Sequence, residues 1–173
     1  MRTVFNLLGP LTNPAGATRQ LIGAPSIDAA KLMANALCGL GPERAFVVHG
    51  SDGLDEVTTT GSTTVFEVVH DQVRNFSWAP GDFGVDTARA SDLSGGDRAA
   101  NRKIAVAVLQ GERGPRRDIV LVNAAAAILA ADSAADAREA IRRAAESIDS
   151  GSAWSKVEKL ADFCSEVQRR SST

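Results

Sequence analysis

Apolar and polar positions change period along the chain. The run RTVFNLL (2–8) is rich in strand formers and leads into GPLTNPAGATR, whose Gly, Pro and Asn residues fit an extended irregular loop. QLIGA (20–24) reads as a short strand. Ser26 then caps a helix whose apolar positions Ala29, Leu32, Met33, Ala36, Leu37 and Leu40 keep helical spacing, with Gly39 and Gly41 as stops. RAFVVHG (44–50) is apolar almost throughout, the mark of a strand buried on both faces of a parallel sheet. TTVFEVVH and VRNFSW predict two strands joined at Asp71-Gln72 as an antiparallel hairpin, which makes the sheet mixed.

After residue 78 the period becomes helical. APGDFGV predicts a loop, GGDRAANRKIAVAVLQGE a helix capped at Asp97, and GPRRDIVLVNAAAAILAAD a helix that begins near Pro115. SAADAREAIRRAAESIDSG and SAWSKVEKLADFCSEVQRR each carry one apolar stripe beside a charged face, the pattern of helices that cover a sheet. Together these elements predict an α/β fold, a mixed, mostly parallel sheet flanked by helices, in one domain over residues 1–173.

Composition narrows the function classes. The chain is 44% hydrophobic and 23% charged, which excludes wholesale disorder, and its formal charge of −2 lacks the basic excess that phosphate-backbone binding needs. No nucleic-acid or membrane partner is expected. Cys38 and Cys164 lie far apart with only two histidines beside them, so a zinc site is not supported and both thiols are expected to be reduced. TVFNLLGPL is too short for a signal core and is broken by Asn6 and Pro10, which predicts a cytoplasmic protein. A strand-like run beginning at the second residue reads as a chain that enters its sheet midway.

HGSDGLDEV (49–57) carries the strongest candidate chemistry. A buried strand ends at His49, and a loop with Gly50 and Gly53 delivers the adjacent carboxylates Asp55 and Glu56. The carboxyl end of a strand is where α/β sheets bind ligands, and magnesium is commonly held by one or two carboxylates plus substrate phosphates. The plain alternative is a solvated turn. LGPLTNPA (8–15) is either a substrate lip stiffened by two prolines or an ordinary connector. DFG (82–84) lacks every other kinase signature, SGGD (94–97) reads as a turn with an Asp cap, and no Ser/His/Asp or Cys/His set has defensible spacing. Lone His49 reads as structural and His70 as exposed. No catalytic side chain is assigned.

Taken in order, RTVFNLLGPLTNPA (2–15), VVHGSDGLDE (47–56), DFG (82–84), GGD with Asn101 (95–101) and GPRRDIVLVNAAAA (114–127) resemble the anthranilate phosphoribosyltransferase family, from Arg2 to about Lys159. The resemblance implies the truncated C-terminal part of a nucleoside phosphorylase/phosphoribosyltransferase-type domain. It implies a glycosyltransferase that moves the phosphoribosyl group from phosphoribosyl pyrophosphate to the amine of anthranilate, in tryptophan biosynthesis. By the same resemblance Asp55 and Glu56 coordinate Mg2+ bound with the diphosphate, and Gly9 and Pro10 border the anthranilate channel. The family's helical N-terminal domain, G-T-G-G-D loop, K-H-G-N-R segment and anthranilate-binding arginine have no counterpart here. The expectation is therefore a chain inactive or incomplete by itself, which needs a partner chain with the missing half, and whose family homodimer contacts lie largely in that half. A non-catalytic remnant or interaction module is the alternative. A pyrimidine nucleoside phosphorylase on the same fold fits less well, because LGPLTNPA and GLDE pair as in the anthranilate enzymes.

Overall fold

The computed structural model describes residues 9–171, so the strand expected at 2–8 lies outside the described residues. Strands β1 (Arg19–Gly23), β2 (Arg44–Gly50), β3 (Thr63–Val69) and β4 (Gln72–Trp78) form one sheet in the order β1-β2-β3-β4. β1 runs parallel to β2 with Leu21 beside Phe46, whereas β2–β3 and β3–β4 are antiparallel. The sheet is mixed and helix-flanked as expected, but among the described strands parallel pairing is the minority. An apolar run reports burial on both faces and carries no information on neighbour direction, so β2 could not reveal its antiparallel partner. The hairpin turn sits one residue earlier than expected, at His70-Asp71, with Val69 opposite Gln72 and His70 in the left-handed region at φ 53.

Helices cover both faces. Helix α1 (Ile27–Leu40) starts where the Ser26 hydroxyl accepts the Ala29 N–H at 3.2 Å and stops at Gly41, whose φ of 67 lets its N–H return to Leu37 and Cys38. Its buried side is Ala30, Met33, Ala34 and Leu37, while Leu32 and Leu40 are exposed. In an alanine-rich helix the spacing fits two adjacent faces, and packing against Ala45, Val47, Phe66 and Val68 selects the one with the small residues. The opposite face of β2 presents Phe46 and Val48 to helix α4 (Pro115–Ala130), where Val122, Ala125 and Ala126 are fully buried.

The loop expected at 79–85 contains a short helix, α2 (Pro80–Phe83), whose first turn is closed by the Asp82 carboxylate accepting the Ala79 N–H at 2.7 Å. Phe83 inserts into an edge-to-face cluster with Trp78, which also meets Phe46 and Phe76. The DFG run is therefore a cap and a core anchor. A 3-10 turn (Ala90–Leu93) leads to α3 (Arg98–Leu109), capped by Asp97, which accepts the Ala100 N–H at 2.8 Å. α5 (Ala137–Asp149) packs on α4 through Ala140, Ala144 and Ile148 and is fastened by buried Arg117, paired with Asp149 at 2.7 Å. α6 (Ser152–Ser171) departs from the expectation of a helix on the sheet: it meets α5 near Ala153, and from residue 156 to 170 every position is exposed.

One buried charge is part of the sheet. Glu67 on β3 is 1% exposed and pairs with Arg44 at 2.8 Å and with Arg74 on the neighbouring strand. The Arg44 guanidinium in turn lies 5.2 Å above the Phe46 ring. Two arginines on one carboxylate satisfy its lone pairs, which makes its burial tolerable.

Candidate functional site

The acidic loop begins where β2 ends. Gly50 donates its N–H to Leu54 O at 2.8 Å, Gly53 donates to Gly50 O at 2.9 Å with φ 92, and Ser51 donates to Ser62 O at 2.8 Å. These bonds close residues 50–54 into a compact turn that brings the Asp55 backbone against β1. There the strand's last residue, Gly23, leaves no room for a side chain. A Cβ on it would lie 1.6 Å from the Asp55 carbonyl oxygen. The backbones of β1 and the acidic loop are thus in direct contact, and only glycine permits it.

A second wall comes from α4. The Asn123 carboxamide accepts the Val57 N–H at 2.9 Å and donates to Val57 O at 2.8 Å, with its other N–H on Ile119 O at 3.0 Å. Val57 itself is buried against the core. The carboxylates thus project from a segment held on both sides.

Their electrostatics differ. Asp55 is exposed and Glu56 half-buried. Burial pushes the Glu56 carboxyl above the ordinary carboxylate range, and the charges of Asp55 and then Asp52 push in the same direction. Asp52 behaves oppositely. Burial would raise it, but the Thr58 and Thr60 hydroxyls and the Leu54 N–H, all donating to its carboxylate, hold it low. Asp52 is therefore an internal brace of the loop, whereas Glu56 faces the like charge of its neighbour Asp55 without relief from hydroxyls of that kind. That donor set, two hard oxygen ligands on adjacent residues, is of the kind that holds a divalent cation. Among the described residues no group of three or more His, Cys, Asp or Glu side chains is placed to hold a metal, so a cation here takes its remaining ligands from water or a bound anion.

Gly9 and Pro10 line a surface pocket of about 390 Å³ with Asn13, Pro14 and β1 residues Gln20 to Gly23. Gly23 also abuts Asp55, so the pocket and the acidic loop share this residue. His49 is tied to the end of β1: its Nδ1 lies 2.8 Å from Ala24 O, and since a carbonyl only accepts, Nδ1 carries the proton. In the SGGD turn, the Asn101 carboxamide clasps Gly96, accepting its N–H at 2.9 Å and donating to its carbonyl at 3.0 Å. Sequence reasoning passed over Gly23, Asp52 and Asn123. The available signals were a glycine at a strand end and one amide inside the apolar run VLVNAAAA.

Residues 1–154 match the family described as glycosyl transferase family, a/b domain. Proteins named anthranilate phosphoribosyltransferase are similar along nearly the whole chain. That of Solibacter usitatus is 61% identical over 163 residues, 94% of this chain and 48% of the relative. That of Geobacter sulfurreducens is 47% identical over 166 residues, 96% of this chain and 47% of the relative. The crystal structure of the Thermus thermophilus enzyme superposes with a TM-score of 0.84 at 38% identity, covering 94% of this chain and 48% of its own. The Saccharomyces cerevisiae enzyme in complex with PRPP and Mg gives 0.82 at 31% identity, covering 96% and 47%. The chain spans about half the length of the relatives it matches. With the match extending over residues 1–154 and the mixed sheet and helix layers in agreement, the chain belongs to the glycosyl transferase family, within its α/β domain.

Proposed function

We propose that residues 1–173 form one partial phosphoribosyltransferase domain, the C-terminal part, that supplies the cation half of an anthranilate phosphoribosyltransferase site. The reaction is transfer of phosphoribosyl from phosphoribosyl pyrophosphate to the anthranilate amine, in cytoplasmic tryptophan biosynthesis. The observation that carries this reading is the acidic loop. It stands at the carboxyl end of β2, is held by Gly23 and Asn123, and carries two adjacent carboxylates in a chain whose relatives bear that enzyme's name.

In this reading Asp55 and Glu56 hold Mg2+ together with the diphosphate, and Gly9 and Pro10 border the anthranilate channel. Bound magnesium offsets the charge that develops on departing pyrophosphate. The protein's own part is positioning: the loop is fixed before ligand arrives, so little ordering entropy remains to be lost on binding. Two carboxylates alone bind magnesium weakly, so the chain by itself turns over slowly or not at all, and the remaining diphosphate contacts come from a partner segment or chain, within or outside a homodimer.

A chimera tests this. The matched half of the Solibacter usitatus enzyme is replaced by this chain, and loss of anthranilate fluorescence is followed with phosphoribosyl pyrophosphate and magnesium. Turnover is expected, and D55N/E56Q is expected to abolish it. Equal turnover by the double variant would sink the reading. A second reading, an interaction module without catalysis, is favoured by α6, where Leu160 and Phe163 are each 62% exposed. An inactive chimera that still assembles would support it.

A further inference from the structure

Asn123 is a polar residue in an otherwise apolar stretch of α4, where alanine or leucine is the better helix former. Its side chain bonds its own helix at Ile119 O, but its acceptor and second N–H leave the helix and meet both backbone groups of Val57, 66 residues away. That pairing copies a β-ladder exchange of two bonds with one residue, so both peptide planes flanking Val57 are fixed. The first of those planes contains the Glu56 carbonyl. Its orientation sets the backbone torsion from which the Glu56 side chain leaves.

We propose that Asn123 is a positioning residue for the acidic loop, its carboxamide fixing the direction in which Glu56 presents its carboxylate to a cation. The inference rests on the reading of Asp55 and Glu56 as metal ligands and adds an outer residue that orients one of them. Outer partners of this kind change metal affinity by about tenfold or more when removed. Buried packing is supplied separately by the Val57 and Val122 side chains, so the amide's contribution is directional. Gly23 limits the loop from the opposite side but cannot replace the amide, because it excludes volume without offering a hydrogen bond to Val57.

The test uses the full 173-residue chain, isotope-labelled, with manganese(II) and inorganic pyrophosphate as probe. Paramagnetic broadening of the amide signals of residues 53–58 gives the midpoint concentration. In Asn123→Ala the midpoint is expected to rise about tenfold, with faster Val57 amide exchange and unchanged signals from Phe46 and Val65. Val122→Ala, a cavity variant destabilised without touching the amide, is expected to keep the original midpoint. If Asn123→Ala does not fold, Asn123→Leu, which is neutral, close in volume and without any hydrogen-bonding group, carries the comparison with the same expected direction. An unchanged midpoint in the Asn123 variant overturns the proposal, as does an equal rise in Val122→Ala. Absence of broadening at Asp55 and Glu56 in the unsubstituted chain overturns the metal reading itself, and is distinct from either result.

Discussion

The acidic loop and helix α6 reverse the order of tethering that their sequences invite. The loop is short, polar and rich in turn residues, yet it is fixed from two sides, by the Gly23 backbone and by the Asn123 amide. α6 has a regular apolar stripe over 20 residues, yet it stands exposed beyond its first turn. Periodicity states which face of a helix favours burial; it does not supply the surface that buries it. Rigidity of a loop comes from where its backbone groups are satisfied, and those partners sit far away in sequence.

Substitutions that exchange the two behaviours sharpen the contrast. Gly23→Ala should be the most damaging, because its Cβ meets the Asp55 backbone, which cannot move without unseating the loop; a loss of about 3 kcal/mol is expected in urea unfolding. Asn123→Ala leaves the buried Val57 N–H and C=O unmatched and should cost about 2 kcal/mol by the same measurement.

Glu56→Gln should act through pH. The folded carboxyl is raised above its ordinary value of 4.5, so between 4.5 and the folded pKa the folded state keeps a proton that the unfolded state has lost. Metal-free stability of the unsubstituted chain should therefore fall relative to Glu56→Gln as pH rises through that window. Melting temperatures at about pH 4 and about pH 7 check this, with the two proteins converging at the lower pH. Leu160→Glu and Phe163→Glu should change stability least, within about 0.5 kcal/mol, and a larger loss would show that α6 is packed in solution.

Much of the fold was legible because local chemistry decided it. Ser26 and Asp97 mark helix starts through side-chain bonds made within one turn, Pro115 marks one through its fixed φ, and β2 appears at the residues its apolar run marks. Strand direction was not legible, since the same apolar residues serve parallel and antiparallel neighbours. Nor was the true side of α1, where alanines on neighbouring faces make two stripes equivalent until β2 and β3 choose. In the candidate site, Asp55 and Glu56 were visible as a pair. What distinguishes them from Asp52 was not, because it depends on hydroxyls at Thr58 and Thr60 folding back onto that one carboxylate. Gly23 and Asn123 act through contacts 32 and 66 residues away in the chain, a distance no local pattern spans.

The most direct measurement is calorimetric titration of magnesium pyrophosphate into the chain and into its D55N/E56Q variant. The unsubstituted chain is expected to bind weakly with one site, and the variant to give no binding heat above dilution. Equal binding by the two would contradict the assignment of the acidic loop as a cation and diphosphate site.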